Sequence, residues 1–175
     1  NQVVLSKDTA LETAAADITA KQRISISEKA TIDTAGFNST LSGVVSGTGS
    51  LDKVGTGSLA LNGVNSFVGE LDVMAGSIAI NSGSSLGAAS NSVNLATGTS
   101  LETLAALTAQ QAINVTGDVS LNTSTFNSTL AGVISVTANI TKQGSGILNL
   151  QGVNTFVGDI KVTAGTLGLV NDNNL

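Results

Sequence analysis

The chain has 175 residues, a formal net charge of −5, 41% hydrophobic residues and no His, Cys, Pro, Trp or Tyr. Without His or Cys there is no imidazole base, no Ser–His–Asp relay, no thiolate nucleophile or metal ligand, and no disulfide. No Lys/Arg cluster supplies the basic footprint that nucleic acid requires, and no apolar run approaches the length of a membrane-spanning helix.

High Ser, Thr, Asn and Gly content suggests disorder, but disordered chains are poor in Val, Ile and Leu and rich in charge. This chain has the opposite balance, with 11% charged residues, so it is expected to fold. Only 4 Phe are present, and small aliphatics suit a narrow interior built from many similar layers.

In chain order, the first ambiguity is Ala10–Gln22, rich in Ala, Leu and Glu, where propensity alone allows a short helix. Its counterpart Leu101–Ala112 has the same character. Neither carries a sustained 3.6-residue stripe, so strands are preferred there. From Ile24-Ser25-Ile26 onward a period of two dominates. Leu59-Ala60-Leu61, Leu71-Asp72-Val73 and Ile78-Ala79-Ile80 alternate apolar with small or polar residues, as short half-buried strands do. Gly47, Gly49, Gly55, Gly57, Gly63, Gly69 and Gly76 punctuate them at turns. Nine or ten strands are expected in each half of the chain.

The halves repeat. Phe37-Asn38-Ser39-Thr40-Leu41 returns as Phe126-Asn127-Ser128-Thr129-Leu130, an offset of 126 − 37 = 89, and residues 37–86 match 126–175 without a gap. Of those 50 positions, 24 are identical. Leu11-Glu12-Thr13 matches Leu101-Glu102-Thr103 at an offset of 90, whereas Ile24 matches Ile113 at 89. One residue is therefore gained or lost between Ala14 and Arg23, which marks a loop. The chain reads as a single unit of repeats 1–89 and 90–175, two periods of a longer tandem array.

Self-similarity at a fixed period is the mark of a solenoid. With strands about 4.8 Å apart, parallel coils of two or three strands give about four turns per 89-residue repeat. Identical side chains are then expected to stack, with the amides of Asn65 and Asn154 bonding along the axis and the Phe residues inside.

One stretch resembles a known family. Lys53-x-Gly55-x-Gly57-x-Leu59-x-Leu61-x-Gly63-x-Asn65-Ser66-Phe67-x-Gly69, followed by Val73-x-Ala75-Gly76-Ser77-Ile78, is similar to the passenger-associated β-strand repeat of bacterial autotransporters. The second copy, with Lys142, Gly144, Gly146, Asn154, Phe156, Gly158 and Gly165, fits as well. Leu71 and Ile160 depart from it, standing where many members have Thr. The resemblance implies an all-β, right-handed parallel β-helix, exported by a Gram-negative cell to its surface or beyond. Members include adhesins, self-associating factors, proteases and toxins, and the repeat itself is usually the stalk.

The expected function is accordingly a structural or adhesive fibre segment without enzymatic activity or cofactor. Its expected partners are a host or bacterial surface, protein or glycan, itself end to end, and flanking repeats. No nucleic-acid binding or membrane insertion by this segment is expected. Three alternatives are weighed: a polysaccharide-acting β-helix enzyme, a free-standing filament, and ice or mineral binding through Thr97-Gly98-Thr99 and Thr123-Ser124-Thr125.

Individual residues have plainer alternatives. Glu70 and Asp72 share a strand face that suits a cation or a sugar, or simply a solvated surface; their counterparts Asp159 and Lys161 have opposite signs. The Gly-x-Gly turns lack the Asp of calcium-binding solenoids and the following helix of a phosphate loop. Lys53 and Lys142 are expected to cap a turn while their stems cover apolar surface. Phe67 and Phe156 are expected in the core, although exposure would make them carbohydrate platforms.

Overall fold

The computed structural model describes residues 1–13 and 18–170. Its strands pair only in parallel, with partners 19 to 23 residues apart, so each strand meets the next lap of the chain. Alternation puts one residue in two inside, and the polar or small residue between them outside.

Each lap has three sides. The first carries Gln2–Leu5, Arg23–Ile26 and Val45–Gly47, then Thr108–Ala109, Ser128–Leu130, Ile147–Leu150 and Thr166–Leu169. Between them it runs through residues 65–68, where the Ser66 and Val68 amides donate to the Val45 and Gly47 carbonyls, and through a short 3-10 turn, Gly83–Leu86. The second side stacks Thr9–Glu12, Ala30–Asp33, Leu51–Val54, Leu71–Val73, Ser92–Leu95, Ala112–Val115, Ile134–Val136 and Thr155–Phe156. The third stacks Ile18–Ala20, Ser39–Leu41, Ser58–Leu61, Ser77–Ile80, Ser100–Thr103, Val119–Asn122, Ile140–Gln143 and Ile160–Val162. The result is a β-solenoid of about 8 turns.

The core is a set of columns, one residue per lap. Leu51, Leu71, Val93, Ile113 and Ile134 form one, and Leu59, Ile78, Leu101 and Leu121 another, all nearly or wholly buried. Phe67 is fully buried and Phe156 packs partly buried against the same core.

Twenty-three strands form among the described residues, more than the nine or ten expected per repeat. The extra ones lie where a helix competed: Thr9–Glu12, Ser100–Thr103 and Thr108–Ala109 are strands. Each finds a parallel neighbour one lap away, and that pairing overrides helix propensity. The length difference between the repeats was expected in a loop from Ala14 to Arg23. Residues 14–17 of that stretch lie outside those described, and Ile18–Ala20 is already a strand.

The expected in-register stacking of the two copies does not occur. Lys53 lies on the second side and Lys142 on the third; Val45–Gly47 is on the first side and its copy, Ile134–Val136, on the second. Eleven strands, residues 65–68 and the 3-10 turn make up the 13 side segments of one repeat. Thirteen is four laps plus one side, so each copy is turned by a third of a lap. Asn65 and Asn154 therefore sit on different sides and do not stack on each other.

Candidate functional site

Lys53 and Lys142 occupy core columns, between Ile32 and Val73 and between Leu121 and Val162 respectively. Both are fully buried. Strand alternation forces each inward, so a long cation fills a place where neighbouring laps have aliphatics. The Lys53 ammonium donates to the carbonyls of Val54 (3.0 Å), Gly55 (2.6 Å) and Ala75 (2.9 Å). Lys142 repeats the cage with Gln143 (2.8 Å), Gly144 (2.8 Å), Ala164 (3.1 Å) and the Thr123 hydroxyl (3.0 Å). Each lysine caps its turn from inside the coil, and the stem is core, not a cover on the surface.

Burial pushes the Lys53 amine down from 10.5 to about 8, against the opposing pull of the Asp33 carboxylate. Burial lowers Lys142 as well. At neutral pH Lys53 remains protonated and its three carbonyls remain paired.

The glycines of the motif make this cage and its turn possible. Gly55 and Gly144 adopt φ of 77° and 79°, which lets their carbonyls turn toward the ammonium. Gly57 and Gly146 are glycine because a Cβ would lie 1.8 Å from the carbonyl oxygen of Phe37 or Phe126 in the lap below. Gly158 is nearly as tightly packed against the Ala138 carbonyl oxygen (1.9 Å), and Gly69 less so against that of Gly49 (2.6 Å). Gly76 and Gly165 sit directly over Gly57 and Gly146.

Asn65 and Asn154 do bond along the axis, but to backbone. The Asn65 amide oxygen accepts from the Val45 N–H (2.8 Å) and its NH2 donates to the Ser85 carbonyl (2.6 Å). Asn154 accepts from Ile134 N–H (2.8 Å) in the same way. Asn91 does the equivalent work between Gly69 and the carbonyls of Phe67 and Leu86, a role the sequence pattern did not single out.

Outside, the second side carries a polar ladder through Asp52, Asp72, Asn94 and Asn114. Asn114 donates to Asn94 (2.8 Å) and Asn94 to Asp72 (2.5 Å). Lys29 bridges Asp52 (3.0 Å) and Asp72 (3.6 Å), and those carboxylates hold its amine above the usual lysine range. Lys29 thus offsets one of the two charges it bridges, while Glu70 stands exposed beside Asp72. Nothing in this pair gathers around a cation or an acid–base couple.

A recess of about 340 Å³ opens where the 3-10 turn meets Thr108. Ser82, Ser84, Thr108 and Gln110 line it without a charge, and Gln111 pins its floor through the carbonyls of Gly83, Gly87 and Ala88. It holds no acid or base.

The comparisons with known proteins fit this geometry. A curated protein, "Adhesin BmaC autotransporter" of Brucella suis biovar 1 (strain 1330), is 39% identical over 87 residues. The match covers 50% of this chain and 2% of that protein. No solved structure matches. Residues 51–80 and 140–169 match the family described as the passenger-associated-transport-repeat. Both matched segments open beside a caged lysine and close on the strand that follows the glycine above it, so the resemblance read from the sequence holds, and the chain carries two passenger-associated-transport-repeats.

Proposed function

We propose that this chain is a rigid, adhesive segment of a surface protein that a Gram-negative cell exports, and that it mediates attachment or self-association. The observation that carries the reading is a parallel coil of about 8 turns that bears two passenger repeats and no constellation of reactive side chains among the described residues. Parallel crossovers are right-handed in nearly all proteins, and this coil is read as right-handed on that ground. Its role is structural: the lysine cages, asparagine bonds and glycine contacts hold the laps together, while outward Ser, Thr and Asn rows offer many weak contacts. Rigidity lets such contacts act in parallel, so avidity replaces a deep pocket. The similarity to an adhesin favours attachment over catalysis.

The test is an in-frame deletion of this segment in the parent protein, with export and adhesion read separately. Antibodies to the remaining passenger should still label intact cells, while adherence to host cells or cell-to-cell clumping falls. Full adherence and clumping after the deletion would overturn the proposal.

A further inference from the structure

Two of the four phenylalanines are exposed, and they are copies of one another. Phe37 is 39% and Phe126 36% exposed. They open Phe-Asn-Ser-Thr-Leu, the longest unbroken identical run between the two repeats. Packing accounts for the Asn, Ser and Leu of that run, while Thr40 and Thr129 are half-buried between them. Ser39 and Leu41, with Ser128 and Leu130, are buried, and the oxygens of Asn38 and Asn127 accept from the Ser58 and Ile147 amides at 3.0 Å. Packing covers part of each Phe at the first position and leaves more than a third of it in solvent.

The surroundings are alike at both places. Phe37 ends a tight turn, its N–H bonded to the Thr34 carbonyl (2.8 Å), and Phe126 does the same with Thr123 (2.8 Å). One lap above lies Gly57 or Gly146, and above that Gly76 or Gly165. The backbone of each Phe therefore lies under a ledge of two glycines, which carry no side chain over the corner. The turn residues of those laps carry no charge of their own, but a carboxylate is bonded into each turn: Asp33 accepts from the Ala35 N–H (2.7 Å) at the first and Glu102 from the Ser124 hydroxyl (3.0 Å) at the second. Among the described residues, the amide NH2 of Asn38, next to Phe37 in the chain, has no hydrogen-bond partner, its oxygen alone being bonded.

We propose that Phe37 and Phe126 are two equivalent binding steps for neutral saccharides. A sugar's C–H face carries partial positive charge and stacks on the negative face of an aromatic ring. The glycine ledge admits the ring edge of the sugar, and the neighbouring amide donates to a hydroxyl. The carboxylate beside each turn, Asp33 or Glu102, disfavours an anionic sugar. A second copy of the chain is a poorer occupant, because a stable protein interface needs about 800 Å² per partner and a single ring among small polar residues supplies far less. Phe37 lies on the corner between the second and third sides, and Phe126 on the corner between the third and first. The two steps thus face different directions and bind independently.

This inference rests on the adhesive reading and names a ligand class for it. The test uses this chain, probed first on a printed array of neutral and sialylated oligosaccharides, then by NMR titration with the best neutral binder. Two sets of shifts are expected, one around Asn38 and Gly57 and one around Asn127 and Gly146. Phe37→Leu should remove the first set and Phe126→Leu the second, with unchanged melting curves. The double Leu variant should bind at least about tenfold more weakly, and the double Tyr variant should bind like the parent. Binding that survives the double Leu substitution, binding restricted to sialylated glycans, or no saccharide binding overturns the proposal. In those cases adherence lost on deletion of the segment would still uphold the adhesive reading.

Discussion

Replacing Lys53 by Met tests whether an internal cation holds the passenger repeat together. Met keeps the length and apolar stem that fill the column between Ile32 and Val73, and removes the ammonium. The Val54 carbonyl keeps the Thr34 hydroxyl as a partner, whereas those of Gly55 and Ala75 lose the donor that reached them. Two orphaned buried carbonyls at about 1–3 kcal/mol each cost roughly 2–6 kcal/mol, while removing an ammonium held about 2.5 pH units below its free value returns about 3.4 kcal/mol, so the net change at pH 7 is small. The pH dependence gives a sharper signature. With the folded amine at about 8 and the free one at 10.5, Lys53 is protonated in both states below pH 8 and contributes no slope there. Between those values the unfolded chain binds the extra proton, so stability rises with pH. The stability of the parent relative to Lys53→Met should therefore rise by about 2.5 kcal/mol from pH 7 to pH 10, at ~1.36 kcal/mol per decade. Urea melts followed by far-ultraviolet circular dichroism at pH 7, 8, 9 and 10 measure that difference, and other titrating groups cancel. A relative stability that stays flat or falls would refute a buried, charged lysine.

Gly57→Ala should destabilise by at least about 2 kcal/mol, because its Cβ meets a backbone oxygen at 1.8 Å that cannot yield. Gly98→Ala, with nothing within 4 Å, should cost only the ~1 kcal/mol of its positive φ, and urea melts of both separate packing from backbone strain. Asn65→Ala orphans the Val45 N–H and the Ser85 carbonyl and should cost about 2–4 kcal/mol, with hydrogen exchange at Val45 accelerated first. Lys29→Met leaves Asp52 and Asp72 facing each other on neighbouring strands. Its effect should stay below about 1 kcal/mol and fade in high salt, since Lys29 is half exposed.

Much of this architecture is legible in the residues. The period of two gives strands, the 89-residue offset gives a solenoid, and the Lys-x-Gly-x-Gly run marks the repeat. Two features escaped that reading for physical reasons. Lys53 follows Asp52 and looks like surface, because polarity alone places lysine outside. Only the register of Leu51-Asp52-Lys53, which puts residues 51 and 53 on the same face, turns it inward. The Phe residues are all expected inside: this holds for Phe67, two residues after the Asn turn, whereas Phe37 and Phe126, at turns, stay partly exposed.

The rotation between copies was hidden for a different reason. A sequence reveals how many residues separate two copies but not how many make a lap, and here laps vary from 19 to 23 residues. Four laps would take about 84 residues at the common spacing of 21, so a repeat of 89 does not close on itself. The surplus is one side. A coil whose repeat closed on a whole number of laps would aim every copy's outer residues the same way and act as a one-sided strip. With 13 sides per repeat and three per lap, a third copy in the same phase would complete the circuit and a fourth would face as the first does. Copies advance about 21 Å along the axis at the usual strand spacing while turning by a third of a lap. If the proposed adhesive role holds, weak contacts repeated in this way would meet partners from every direction around the rod, as a fibre with no fixed orientation toward its target needs.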